Sequence, residues 1–168
     1  GLSGTGKTSL IQCGLANRLD ATDRHPMVIR RDGDVNASLK RHIRKVLGEE
    51  DYSGDVTLDL REIYEEYLRP PYLIFDQFEE LFILGNEKEQ QKFIQQIATI
   101  LEKELPCKIL LMIREEYLGR LYYFEEAVPD IFDHRVRVAP MGSQQVEQVI
   151  EDSFQTFTIN LTGDPDTL

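Results

Sequence analysis

The sequence predicts an α/β fold, a parallel sheet covered by helices on both faces in three layers. Three observations lead there. Short apolar runs alternate with amphipathic stretches of helical period along the chain. The run Tyr72-Leu73-Ile74-Phe75 is continuous rather than alternating, as a strand buried on both faces requires, and it ends on Asp76. A glycine-rich turn at the start leads directly into a helical pattern.

The elements follow in order. Leu10, Ile11, Leu15 and Leu19 stand near helical spacing and predict a helix from Lys7 to about Leu19. Met27 to Arg30 is a short strand, and the run Arg30-Arg31-Asp32-Gly33-Asp34 reads as its end and a turn. An amphipathic helix is expected over about 36–47, with Leu39, Ile43, Val46 and Leu47 on one side and Gly48 as its stop. Another covers about 57–68 and ends before Pro70-Pro71. After the strand at Tyr72–Phe75, a long helix over 88–104 carries Phe93, Ile94, Ile97, Ile100 and Leu101. A second buried strand is expected from Lys108 to Ile113, two short helices near Pro129, and a strand at Arg135 to Val138. Ser143 is placed as the cap of a last helix running to about Phe154, with Val146, Val149 and Ile150 as its apolar face. Strand–helix alternation with right-handed crossovers yields a parallel sheet.

The opening residues Gly1-Leu2-Ser3-Gly4-Thr5-Gly6-Lys7-Thr8 spell G-x-x-x-x-G-K-[ST], the phosphate-cradling P-loop. Gly4 and Gly6 allow a tight turn that presents successive N–H groups to phosphate oxygens. The following helix aims the positive end of its dipole at the same point. Residues Gly1 to Ser9 are therefore the nucleotide-binding candidates. Lys7 is placed on the β- and γ-phosphates and the Thr8 hydroxyl on Mg²⁺. An acid ending a buried strand stands at the carboxyl edge of the sheet, where open α/β sheets bind ligands. Asp76 is accordingly the second metal candidate, holding Mg²⁺ through its water shell. The strand-end acid alone is a weak signal, because many buried strands end in Asp; paired with the P-loop it is strong, and the two point to a nucleoside triphosphate, ATP or GTP, with Mg²⁺.

Composition narrows the remainder. With 168 residues, the chain is one domain's worth and long enough to bury a substantial core. A net charge of −11 argues against non-specific attraction to nucleic acid or to anionic membrane. Cys13 and Cys107 show no C-x-x-C spacing and read as reduced, buried thiols of a cytoplasmic protein. No apolar stretch approaches the length of a membrane span. His25, His42 and His134 have no metal-ligand spacing and read as surface or structural. The helix bearing Lys40-Arg41-His42 with Arg44-Lys45 reads as a solvated face, and Tyr122-Tyr123-Phe124 as filler of a helix-packing seam. A P-loop normally follows a buried strand. Gly1 is the first residue, so the sequence is expected to be a fragment, its core starting one strand late and its lid region beginning near residue 142.

Four blocks carry a family resemblance. Phe75-Asp76-Gln77-Phe78-Glu79-Glu80-Leu81-Phe82 is similar to the "DQFEELF" Walker B block of STAND NTPases, in their novel STAND branch. Gly6-Lys7-Thr8-Ser9-Leu10-Ile11 with Gly14-Leu15 resembles that branch's "GKSSLLRAGL". Ile113-Arg114-Glu115-Glu116-Tyr117-Leu118-Gly119-Arg120-Leu121 resembles its "lRADFLGRL", and Val138-Ala139-Pro140-Met141 its short strand before the lid helices. The blocks stand in the family's order over about residues 1–150.

The resemblance implies a P-loop NTPase sheet of order 5-1-4-3-2, with the first strand absent from this sequence. It places Arg114 at the tip of the fourth strand as a γ-phosphate sensor, the competing reading being an ion pair with Glu115 or Glu116. Arg120 reads as a finger toward a neighbouring subunit or as a solvated helix residue. Related ATPases carry Glu directly after the Walker B Asp; here that position is Gln77, which cannot act as a base. Glu79 and Glu80 are the remaining catalytic candidates beside Lys7 and Arg114. Glu79 is preferred because the related NACHT group has an acid at the matching position. The implied function is a slowly hydrolysing ATP switch, the core of a larger signalling protein with helical lid, winged-helix and repeat domains, self-associating in its ATP state. A small-molecule kinase or other catalytic P-loop ATPase is the alternative, although no acceptor pocket or lid arginine cluster is legible. A scaffold that merely retains the fold is the third reading.

Overall fold

In a computed structural model of the chain, residues 6–15 and 25–157 are described, the side chains of residues 12, 13, 15 and 157 excepted. Helix α1 (Lys7–Ser9) continues as a π-helical turn, Leu10–Leu15. Strand β1 (His25–Arg30) is followed by α2 (Val35–Leu47) and α3 (Val56–Tyr67). Strand β2 (Pro71–Asp76), α4 (Glu80–Ile83), α5 (Glu87–Glu102) and β3 (Lys108–Leu111) come next. Two 3₁₀ segments, Glu115–Phe124 and Pro129–Phe132, precede α6 (Ser143–Phe157). The chain divides after Val138 into two compact units, the second holding α6.

The sheet is parallel, in the order β1-β2-β3. That is the expected succession of the second, third and fourth strands. Register pairs Met27 with Leu73 and Ile29 with Phe75, then Leu73 with Ile109 and Phe75 with Leu111. With a side-chain period of two, these six residues face one side, where they join the core. Leu39, Ile43, Leu60, Ile63, Phe93, Ile97 and Ile100 of α2, α3 and α5 complete it.

Helix starts follow local side-chain chemistry. Asp34 caps α2 by accepting from the Ala37 N–H, Asp55 caps α3 through Thr57 and Leu58, and Asn86 caps α5 through Glu89. Gly48 ends α2 at a φ of 87°, in the left-handed region. Loop 48–55 is gathered by fully buried Asp59, which accepts from the Ser53 N–H and hydroxyl and from the Gly54 N–H.

Four expectations need correction. Arg135–Val138 forms no strand among the described residues. The described sheet holds only β1, β2 and β3, and a strand without a pairing partner leaves its backbone groups unsatisfied. The last helix is capped one residue earlier than expected. Val146 donates to the Gly142 carbonyl, and the Gln145 side chain accepts from the Gly142 N–H. Of Tyr122-Tyr123-Phe124 only Phe124 fills the core; the two tyrosines are 70% and 65% exposed, since a 3₁₀ segment presents one residue in three inward. The helix entered at Lys7 is α-helical only to Ser9 and then widens into a π-helical turn instead of running regularly, and residues 16–19 lie outside the described residues.

Other readings agree with the structure. His25 is partly buried at the start of β1, its ring tilted on Tyr67 at 4.8 Å; burial, with Arg69 nearby, lowers its pKa and favours the neutral ring. The basic residues of α2 are engaged locally: Arg41 with Asp32, Arg44 with Glu49, and Lys40 with the Gly54 carbonyl. Burial pushes the Cys107 thiol up to about 11, so it stays protonated near neutrality. Among the described residues no helix is long and apolar enough to cross a membrane.

Phe75, Phe78, Phe82, Phe93 and Phe124 pack edge to face or tilted, with ring centroids 4.9 to 6.2 Å apart. Fully buried Phe93 touches three of them and so ties α5 to the turn after β2. Phe93→Ala is expected to cost about 3–5 kcal/mol, a loss checked by urea unfolding.

Candidate functional site

Two segments far apart in sequence meet at the carboxyl edge of the sheet. Gly6 adopts a φ of 75°, left-handed and suited to glycine, and its carbonyl accepts from the Leu10 N–H at 2.8 Å. That turn sets Lys7 and Thr8 at the first positions of α1. The Thr8 hydroxyl reaches Asp76 across 68 residues of chain, 3.0 Å from Oδ1 and 3.2 Å from Oδ2. Asp76, the last residue of β2, is buried. Lys7 is partly buried and Ser9 exposed, while Gly1, Leu2, Ser3, Gly4 and Thr5 lie outside the described residues.

Beyond Asp76 the chain turns sharply. Gln77 takes a φ of 57°, a left-handed conformation that costs a non-glycine residue about 1 kcal/mol. The turn lets the Phe78 N–H donate to the Met112 carbonyl while the Met112 N–H donates to Phe75, extending the β2–β3 pairing past β3. Phe78 is driven into the aromatic cluster, Gln77 is left exposed, and Glu79 is carried inward. Glu79 is buried and meets Arg114 at the tip of β3. Arg114 Nε lies 2.9 Å from Glu79 Oε1, and the Arg114 N–H donates to Oε2 at 3.3 Å. Arg114 thus pairs with Glu79 rather than with adjacent Glu115 or Glu116. Glu80 opens α4 and is partly buried; Arg120 is exposed.

Sequence reasoning missed two arginines. Arg30 ends β1 in register with Asp76, and its Nε and terminal nitrogen donate to Asp76 Oδ2 at 2.9 and 2.6 Å. Arg31 makes a two-pronged pair with Glu89 at 2.9 Å on both arms. Glu89 also accepts from the Val35 N–H at 2.7 Å, which fastens the start of α2 to α5. The hydrogen bond to Glu89 raises the Arg31 pKa, keeping the guanidinium charged at any working pH. The available signal was positional: residues ending adjacent parallel strands lie side by side, so a strand-end Arg beside a strand-end Asp is a pair.

The donor set suits a hard cation. The Thr8 hydroxyl and the Asp76 carboxylate, 3.0 Å apart, stand close enough for one hydrated cation to draw on both, Asp76 through its water shell. Among the described residues no cluster of three or more His, Cys, Asp or Glu forms a protein-only cage. Thr8 and Asp76 are oxygen donors of the kind Mg²⁺ prefers, and they stand beside the left-handed turn at Gly6.

Comparison with known proteins agrees with this geometry. No curated protein sequence matches the chain. Among solved structures the chain is similar to a Walker-type ATPase of Pyrococcus abyssi, at 16% identity and a TM-score of 0.62, over 96% of this chain and 53% of that one. The chain spans about half the length of that ATPase, and the likeness speaks to the fold. The family model described as novel STAND NTPase 1 matches residues 1–164. The turn at Gly6, the strand-end Asp76 and the parallel sheet agree with that match, and the chain is an NTPase domain that belongs to the novel STAND NTPase 1 family.

Proposed function

We propose that this domain binds ATP, with GTP the competing base, together with Mg²⁺, and hydrolyses it slowly as a conformational switch. The observation that carries the reading is the meeting of Thr8 and Asp76 at the sheet's carboxyl edge. In this reading Gly1 to Ser9 wrap the phosphates and Lys7 contacts the β- and γ-phosphates. Thr8 and Asp76 would hold Mg²⁺, which when bound neutralises phosphate charge during phosphoryl transfer. Glu79 orients and deprotonates the attacking water, and Arg114 reads the γ-phosphate. These last two occupy each other in the present arrangement, so the pair must part before either acts. A base held by a guanidinium favours slow turnover, which suits a device that dwells in one nucleotide state.

The family membership supports a larger protein around this domain. We place the lid from about residue 142, with winged-helix and repeat domains beyond it, in a cytoplasmic signalling protein that self-associates when ATP is bound. Hydrolysis by Glu79→Gln tests the assignment of the base. ATP affinity should stay within about threefold while single-turnover hydrolysis falls by about a hundredfold or more. An unchanged hydrolysis rate would remove Glu79 from that role and pass it to Glu80. Saturable phosphate transfer to a metabolite would replace the switch with a kinase.

A further inference from the structure

The Mg²⁺ candidate Asp76 carries a counter-cation from its own chain. Its carboxylate is only 3% exposed, whereas the Arg30 side chain is 55% exposed. Both donors of Arg30 fall on the same oxygen, Oδ2, and Thr8 Oγ1 lies against both oxygens. A buried carboxylate needs its charge balanced, and Arg30 does this from the solvent side, where a long side chain can leave at small cost. Among the described residues Arg31 is held more closely than Arg30: its side chain is 13% exposed, and its carboxylate partner also holds a backbone amide. One arginine is built as a fixed staple and its neighbour as a removable one.

We propose that Arg30 is a positioning residue that competes with Mg²⁺ for Asp76. It holds the carboxylate at the sheet edge and opposes Mg²⁺ there, its grip on Asp76 loosening as metal and nucleotide bind. The proposal rests on the nucleotide reading above and adds to it the residue that sets how strongly metal and nucleotide binding are coupled. A guanidinium on Oδ2 and a metal ion drawing on the same buried carboxylate repel each other, so Asp76 holds the metal less tightly while Arg30 is in place. Removing Arg30 therefore lifts a penalty that applies only to the metal-bound state.

The test is ADP binding to the full-length protein by calorimetry, in Mg²⁺ and in EDTA. The ratio of the two affinities is the coupling between metal and nucleotide. Arg30→Gln should raise that ratio about fivefold, the size of a half-exposed charge-assisted contact. Arg30→Lys keeps a cation but loses the paired donors and should raise it less; it also serves if the glutamine variant does not fold. A ratio that stays the same or falls in a folded variant would overturn the competition while leaving nucleotide binding intact. A folded wild type that binds no ADP under either condition would overturn this inference and the nucleotide reading together.

Discussion

Lys7→Ala should weaken ATP binding by about a hundredfold or more, measured by displacement of a fluorescent nucleotide. The lysine stands at the first helical position after the left-handed Gly6, at the same sheet edge as Asp76. An ammonium desolvated against phosphate contributes several kilocalories per mole, about 2–5 on removal of one partner of a buried charge pair, and tenfold in affinity corresponds to about 1.4. Lys7 lies outside the apolar core, so the variant should remain folded. Affinity within threefold of wild type would show that the turn does not hold phosphate.

The second strong effect is expected at Asp76. Asp76→Asn keeps the side chain's size and one acceptor for Thr8 and Arg30 but removes the charge that makes a metal ligand. Mg²⁺ should then no longer accelerate hydrolysis, with a loss of about a thousandfold in turnover. The fold should survive, because the freed partner is a largely exposed arginine that returns to water, at roughly 1 kcal/mol. Retention of the Mg²⁺ response in this variant would place the metal elsewhere.

Much of this molecule was legible because its signals are short-range. Helices α2, α3 and α5 were expected within one or two residues of their observed bounds. Their apolar faces repeat at helical spacing, and Asp34, Asp55 and Asn86 cap them. Strand β2 was legible because burial on both faces erases polar alternation. What escaped depends on neighbours in space. The stretch Arg135–Val138 has strand-like composition but no partner strand within these residues, and strand character is realised only by pairing. Tyr122 and Tyr123 have core chemistry on the wrong side of a 3₁₀ segment. Short α4 is too brief for a period to show.

The site divides along the same line. Thr8 and Asp76 could be singled out because a glycine-rich turn and a strand-end acid are local patterns, and the structure brings the two side chains to 3.0 Å. Arg30 was not, since its meaning comes from register with a strand 46 residues away. The pairing of Glu79 with Arg114 was hidden for the same reason. Each had been weighed as a separate candidate, and only the left-handed turn at Gln77 brings the acid to the tip of β3.

One titration bears most directly on the nucleotide site: ATP and ADP into the full-length protein by calorimetry, with and without Mg²⁺, beside Lys7→Ala. Micromolar binding that Mg²⁺ tightens and the lysine variant loses is the predicted result. No heat of binding from a well-folded wild type, at any Mg²⁺ concentration, would contradict a nucleotide switch and leave a domain that keeps the fold without the ligand.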